Sequence, residues 1–235
     1  MCDSTTGLVV CVLGMHRSGT SCLTGSLQQA GLNLGKHHTW NRFNQKGNRE
    51  NQDIVDFHDQ LLADNGASWD HPPRRLSISP EHIEQARAIA DAFPEGVQWG
   101  FKDPRALLAL EVWKQVIPGL RFVGIFRHPL AVAASLNRRS AGGMPDKAAF
   151  ELWHHYNKRL LNQFKEGPFP LLCFDWEEEY FHQRLNRVLA DLGLQELGPD
   201  QRFYTSELHN FDSRETDALP WKVRRLYRKL QALSG

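Results

Sequence analysis

One octapeptide constrains what this chain can fold into more than any other stretch. Gly14-Met15-His16-Arg17-Ser18-Gly19-Thr20-Ser21 follows the apolar run Leu8-Val9-Val10-Cys11-Val12-Leu13 and precedes a helical pattern from about Thr20 to Ala30, ended by Gly31. The run is short and rich in β-branched residues, so it reads as a buried central strand. A strand-to-helix turn gathers free backbone N–H groups and the positive end of a helix at one point, where a phosphate can be held without spending a side chain. Gly14 and Gly19 give such a turn its close approach and unusual dihedrals.

The rest of the chain alternates in the same way. Strands are expected at Val97–Phe101, Arg121–Phe126 and Leu171–Phe174, separated by helical patterns around Leu107–Ile117 and Asp146–Phe164. Ser79-Pro80 reads as an N-cap followed by proline at the first helical position. Apolar stripes through Ile54–Leu62, Ile83–Phe93, Phe181–Leu192 and Val223–Leu233 mark further helices. The fold class expected is α/β with three layers, a mostly parallel sheet carrying helices on both faces, P-loop NTPase-like. No repeat or linker divides residues 1–235, so a single domain is expected.

Of 235 residues, 41% are hydrophobic and 23% charged, which fits a globular chain rather than a disordered one. Lys plus Arg number 28 against 27 Asp plus Glu, so no global field draws the protein to nucleic acid or an anionic membrane, and any anion site must be local. The four cysteines lack zinc spacing and read as reduced thiols. His154 and His155 are adjacent and project to different helix faces, so they form no metal clamp. Leu8–Leu13 is too short for a leader or a membrane span, and a cytoplasmic protein is expected.

Against the ATP-binding pattern G-x-x-x-x-G-K-[ST], the octapeptide keeps every anchor except the lysine, replaced by Thr20, while Arg17 puts a guanidinium inside the loop. That cation can neutralise charge building on a leaving phosphate oxygen. A second anion site is suggested by Arg127-His128-Pro129 after the third strand, with Ser135 eight positions beyond the arginine, since ligands bind at the carboxyl ends of strands in such sheets.

These two motifs together resemble the PAPS-dependent sulfotransferases, of bacterial type. The resemblance implies that Arg17, Ser18, Gly19, Thr20 and Ser21 bind the 5′-phosphosulfate of 3′-phosphoadenosine 5′-phosphosulfate, and that Arg127 and Ser135 bind its 3′-phosphate. It extends to Lys102-Asp103-Pro104-Arg105 and the Leu171–Leu194 stretch. It implies transfer of a sulfuryl group to the hydroxyl of a carbohydrate, lipid or small alcohol, with no metal required. Arg17 would be the leaving-group cation. Lys102 would reach the sulfuryl oxygens, its alternative being a surface ion pair with Asp103. Gly47-Asn48-Arg49-Glu50 is similar to a Gly-x-x-Glu segment of bacterial members and makes Glu50 the expected base, with His37 and His38 as competitors because imidazole titrates near neutrality. Trp40, Phe43, Trp69 and His71 are candidates to line the acceptor pocket. Lys222, Arg224, Arg225, Arg228 and Lys229 form a basic face, solvated or meeting an acidic partner. The competing readings are a P-loop kinase-like phosphotransferase, with Asp175 as a magnesium ligand, and an inactive nucleotide-binding homologue.

Overall fold

Two apolar faces on every strand require two layers of helices, and the computed structural model shows both. It describes residues 7–39, 47–139, 143–203 and 219–235. The elements run β1 (Val9–Leu13), α1 (Thr20–Gln29), α2 (Gln52–Asp64), α3 (Pro80–Asp91), β2 (Trp99–Lys102), α4 (Ala106–Val116), β3 (Arg121–Phe126), α5 (Pro129–Arg139), α6 (Asp146–Glu166), β4 (Leu171–Cys173), α7 (Glu178–Asp191) and α8 (Trp221–Ser234), with a 3-10 turn at Pro199–Gln201 before α8. The sheet is parallel throughout, in the order β2-β1-β3-β4.

Side-chain alternation splits the core in two. Val10, Val12, Val123, Ile125, Leu172 and Phe174 point to one face, where α1 and α7 cover them. Cys11, Leu13, Trp99, Phe101, Phe126, Leu171 and Cys173 point to the other, packed by α2, α4, α6 and α8. This is the three-layer arrangement expected from the sequence. Strand boundaries differ by a residue or two, as at β2, which begins at Trp99 rather than Val97. Ser79 does cap α3, receiving the His82 amide, with the His82 side chain closing the reciprocal bond.

The end of β2 is fixed by a polar cluster that the apolar pattern does not reveal. Asp103 is 1% exposed and His58 of α2 is fully buried. The indole N–H of Trp113 in α4 donates to His58 Nε2 over 2.8 Å. Because an indole only donates, Nε2 must carry the lone pair, so His58 is the neutral tautomer whose Nδ1–H donates to Asp103 Oδ2 at 3.1 Å. The backbone N–H and Nη1 of Arg105 also donate to this carboxylate, at 2.9 and 2.7 Å. Burial pushes the Asp103 carboxyl up, but donation from His58 and the charge of Arg105 outweigh it and hold the group below its ordinary value of 3.8. One carboxylate thereby ties α2, α4 and the turn after β2 together.

Asp103→Asn leaves Arg105 without its buried partner and is expected to cost about 3–5 kcal/mol in urea unfolding at neutral pH. Because the folded value is depressed, the wild-type advantage should be complete above the ordinary value near 3.8 and decline only as pH falls further.

Candidate active site

The parallel strands end at one edge, and the loops leaving β1, β2 and β3 meet there. In the first loop the Ser18 amide donates to the Met15 carbonyl at 3.2 Å. Arg17 and Gly19 both adopt left-handed backbone, with φ of 66° and 88°. Gly19 caps α1 and has no room for a side chain, since a Cβ would sit 2.1 Å from the ring of Phe174. Gly14 was expected to need unusual dihedrals. It does not; it needs space, because a Cβ there would lie 2.6 Å from the Ile125 carbonyl oxygen.

No side chain caps α1, and its first turn contains no acidic residue. The Ser18 hydroxyl is buried and has no hydrogen-bond partner among the described residues. An uncapped helix start beside an unused buried hydroxyl is a donor set suited to phosphate oxygens.

Arg17 reaches across to α5, where its Nε donates to Ser135 Oγ at 2.8 Å. The two anion motifs, 118 residues apart, therefore touch. Arg127 follows Phe126, and alternation places it on the α1 side of the sheet. It is 9% exposed, lies 4.9 Å from the centroid of the Phe174 ring and faces Asp175, with Nε to Oδ1 at 3.6 Å. Phe174 is the same ring that crowds Gly19, so Arg127 is one side chain away from the loop between β1 and α1.

Alternation also aims Lys102. Trp99 and Phe101 face the α4 layer, so Lys102 turns toward α1. It is 2% exposed, with Nζ donating to Glu50 Oε1 at 2.7 Å and to Ser21 Oγ at 3.3 Å. The surface ion pair with Asp103 is therefore not formed: Lys102 is buried, pairs with Glu50, and Asp103 is engaged by His58 and Arg105.

Glu50 is delivered by a pinned segment. Ser21 Oγ donates to the Asn48 carbonyl, Arg49 donates to Gln28 of α1 at 2.8 Å, and Asn51 caps α2 through the Asp53 amide. Backbone bonds between His38 and residues 49 and 50 complete it. The His38 side chain is exposed and does not line the cavity. His37 faces away as well: its Nδ1 contacts the Gly35 carbonyl, and its Nε2 lies 3.1 Å from Gln28.

Arg17, Ser21, Glu50, Trp69, Lys102 and Arg105 are among the residues lining a cavity of about 270 Å³, whereas Ser18, Arg127 and Ser135 are not. Trp69 forms one wall, 4.7 Å from the His16 ring, and its carbonyl accepts from Tyr156 at 2.8 Å. His71 is exposed beside Asp70 and takes no part. Trp40 and Phe43 lie outside the described residues. His16 and Arg105 were not singled out from the sequence, and Asp175 entered only as a magnesium ligand of the competing reading. The Lys102–Arg105 cluster immediately after a strand was the available signal for Arg105. Among the described residues no group of three His, Cys, Asp or Glu side chains is arranged to hold a metal.

Comparison with known proteins agrees with this geometry. A model of the sulfotransferase family matches residues 10–178. The fold is similar to the sulfotransferase domain of the Synechococcus PCC 7002 olefin synthase, with a TM-score of 0.58 and 14% identity over 98% of this chain and 97% of that one. It is also similar to the sulfotransferase domain of the curacin biosynthetic pathway, with a TM-score of 0.56 and 14% identity over 96% and 98%. No curated protein matches the sequence. With a family model matching residues 10–178, a span that takes in residues 14–21 and the Arg127–Ser135 pair, the chain belongs to the sulfotransferase family.

Proposed function

We propose that this enzyme moves the sulfuryl group of 3′-phosphoadenosine 5′-phosphosulfate to an acceptor hydroxyl. The carrying observation is the Arg17–Ser135 hydrogen bond, because it joins the cluster suited to the 5′ end of such a donor to the cluster suited to its 3′-phosphate. The bound donor supplies an activated sulfuryl group; the protein's part is positioning and electrostatics.

In this reading Ser18, Gly19, Thr20 and Ser21 hold the 5′ end through backbone amides and hydroxyls, while Arg127 and Ser135 hold the 3′-phosphate. Arg17 neutralises charge on the departing phosphate oxygen. Glu50 removes the acceptor proton as the new S–O bond forms, and Lys102, which holds Glu50 in place beforehand, shifts its charge toward the sulfuryl oxygens. Glu50 is preferred to His38 because its carboxylate lines the cavity. Trp69, on the cavity wall, is the surface on which a carbohydrate, lipid headgroup or small alcohol would rest.

The magnesium-dependent alternative is disfavoured by Asp175. Its Oδ2 accepts the His128 amide and its Oδ1 faces Arg127, so the carboxylate is already committed to the protein.

The reading is tested with radiolabelled donor across a panel of sugars, lipids and small alcohols, in EDTA. Sulfuryl transfer should persist there, whereas a magnesium-dependent phosphotransferase would stop. Calorimetry with adenosine 3′,5′-bisphosphate should show binding; an absence of binding overturns the assignment.

Arg17→Ala is expected to lower kcat by about 10²–10³-fold. Arg127→Ala should instead weaken bisphosphate binding by roughly 10–100-fold, the usual weight of a charge-assisted contact. Glu50→Gln should lower kcat by about 10²–10⁴-fold with the bisphosphate still bound. Unchanged turnover in Arg17→Ala and Glu50→Gln would refute both roles.

A further inference from the structure

The net charge of +1 conceals an uneven distribution. Helix α8, WKVRRLYRKLQALS, contains five cations and no acid. Its inner face is satisfied by the protein: Val223, Leu226, Tyr227 and Leu230 are buried against α6 and the end of the sheet. Its outer face is not. At about 100° per residue, Trp221, Lys222, Arg225, Arg228, Lys229 and Leu233 share an outward arc of about 140°.

Lys222 lies 5.7 Å from the centroid of the Trp221 ring, but charge pairing along the helix does not explain this face. Surface helices gain from opposite charges at i, i+4, but here Arg224 meets Arg228 and Arg225 meets Lys229 at that spacing, each a repulsion. Lys222 and Arg224 stand in the first turn, where the helix dipole disfavours cations. Among the described residues, no carboxylate comes within ion-pair distance of Lys222, Arg225, Arg228 or Lys229. The positive field reaches α6: the His154 imidazole is pushed down by burial, with Lys158 and Lys222 adding to the shift. Among the described residues, Glu151 shares a cleft with Trp221 and Lys222.

The apolar residues on this face are also unusual. Three large hydrophobic side chains are exposed among the described residues, and two belong to α8: Trp221, 61% exposed, and Leu233, 41% exposed. They bracket the cations at opposite ends of the helix, about 18 Å apart along its axis. Clefts flank Trp221 toward Phe150 and His154 on one side and toward Arg225 and Arg228 on the other, so the indole stands up as a ridge.

We propose that the outer face of α8 docks on an anionic lipid surface. Such a surface is planar and negative, with an interfacial layer that accepts indole and leucine side chains. A band of cations on one exposed helix face, with an apolar side chain at each end, matches it in charge and in amphipathic character. A soluble polyanion would satisfy the cations but would leave no role for Leu233 at the far end. The inference is independent of the donor and acceptor assignments.

The test is co-sedimentation of the full chain with phosphatidylcholine vesicles, alone or with about one-third phosphatidylglycerol, at low and high salt. Binding should require the anionic lipid and weaken with salt. Each cation contributes roughly a fivefold gain near such a surface, so Arg225→Gln/Arg228→Gln/Lys229→Gln should lower partitioning on the order of 100-fold. Anionic vesicles should shift tryptophan emission to the blue in the wild type, and the shift should be absent in Trp221→Ala. Far-UV circular dichroism and urea unfolding verify that both variants are folded, and bisphosphate binding by calorimetry, which probes the donor site alone, separates failure of this proposal from failure of the donor assignment. The proposal is overturned if the wild type ignores anionic vesicles at low salt, binds neutral ones equally, or binds heparin or polyglutamate but no vesicle, which would assign the face to a soluble polyanion.

Discussion

A lysine that is 2% exposed cannot stand alone, and the arrangement around Lys102 follows from that requirement. Removing an ammonium group from water costs several kcal/mol unless a counter-charge and hydrogen-bond acceptors replace the lost hydration. Glu50 supplies the charge and Ser21 an acceptor, which binds three separate stretches into one site: the end of β2, the start of α1 and the segment before α2. Each is useless for this purpose by itself. The strand supplies direction, because its alternation sends residue 102 toward α1. The helix start supplies Ser21, whose hydroxyl also holds the Asn48 carbonyl and so fixes the segment that carries Glu50. A buried pair of this kind adds little net stability, but it specifies a unique arrangement of the groups around the cavity.

Most of the fold was legible because it rests on local signals. Apolar runs, an N-cap at Ser79 and a strand–glycine–helix junction are readable within short windows, and the strands and principal helices fall where those signals put them. The strand-to-helix loop of residues 14–21 was legible for the same reason. What the sequence concealed was long-range pairing. Ser135 was visible as a hydroxyl near Arg127, but its bond to Arg17 depends on how α5 lies beside the first loop. Lys102 next to Asp103 suggested an exposed pair because neighbours in sequence are the obvious partners. In a strand, however, adjacent side chains point to opposite faces, and the two residues were sent to different polar clusters. His58 looked like one more member of an amphipathic stripe. Only the packing of α2 against α4 brings Trp113 to one ring nitrogen and Asp103 to the other.

The backbone of the site carries a further constraint. Among the described residues two non-glycine positions have left-handed dihedrals, Arg17 at 66° and Arg49 at 59°, and both lie on segments that form the cavity. Such a conformation is unfavourable for an arginine unless its side chain is held in return. Each one is held: Arg17 by Ser135 at 2.8 Å, and Arg49 by Gln28 at 2.8 Å with the Phe203 ring 5.3 Å from its guanidinium carbon. The backbone turn at residue 17 aims its guanidinium at α5 rather than along the loop, and the turn at residue 49 sets Glu50 toward Lys102. In the function proposed above, strain at these two positions acts as preorganisation. The cation and the carboxylate are fixed by packing before any substrate arrives, so less ordering is left to be done at the moment of reaction.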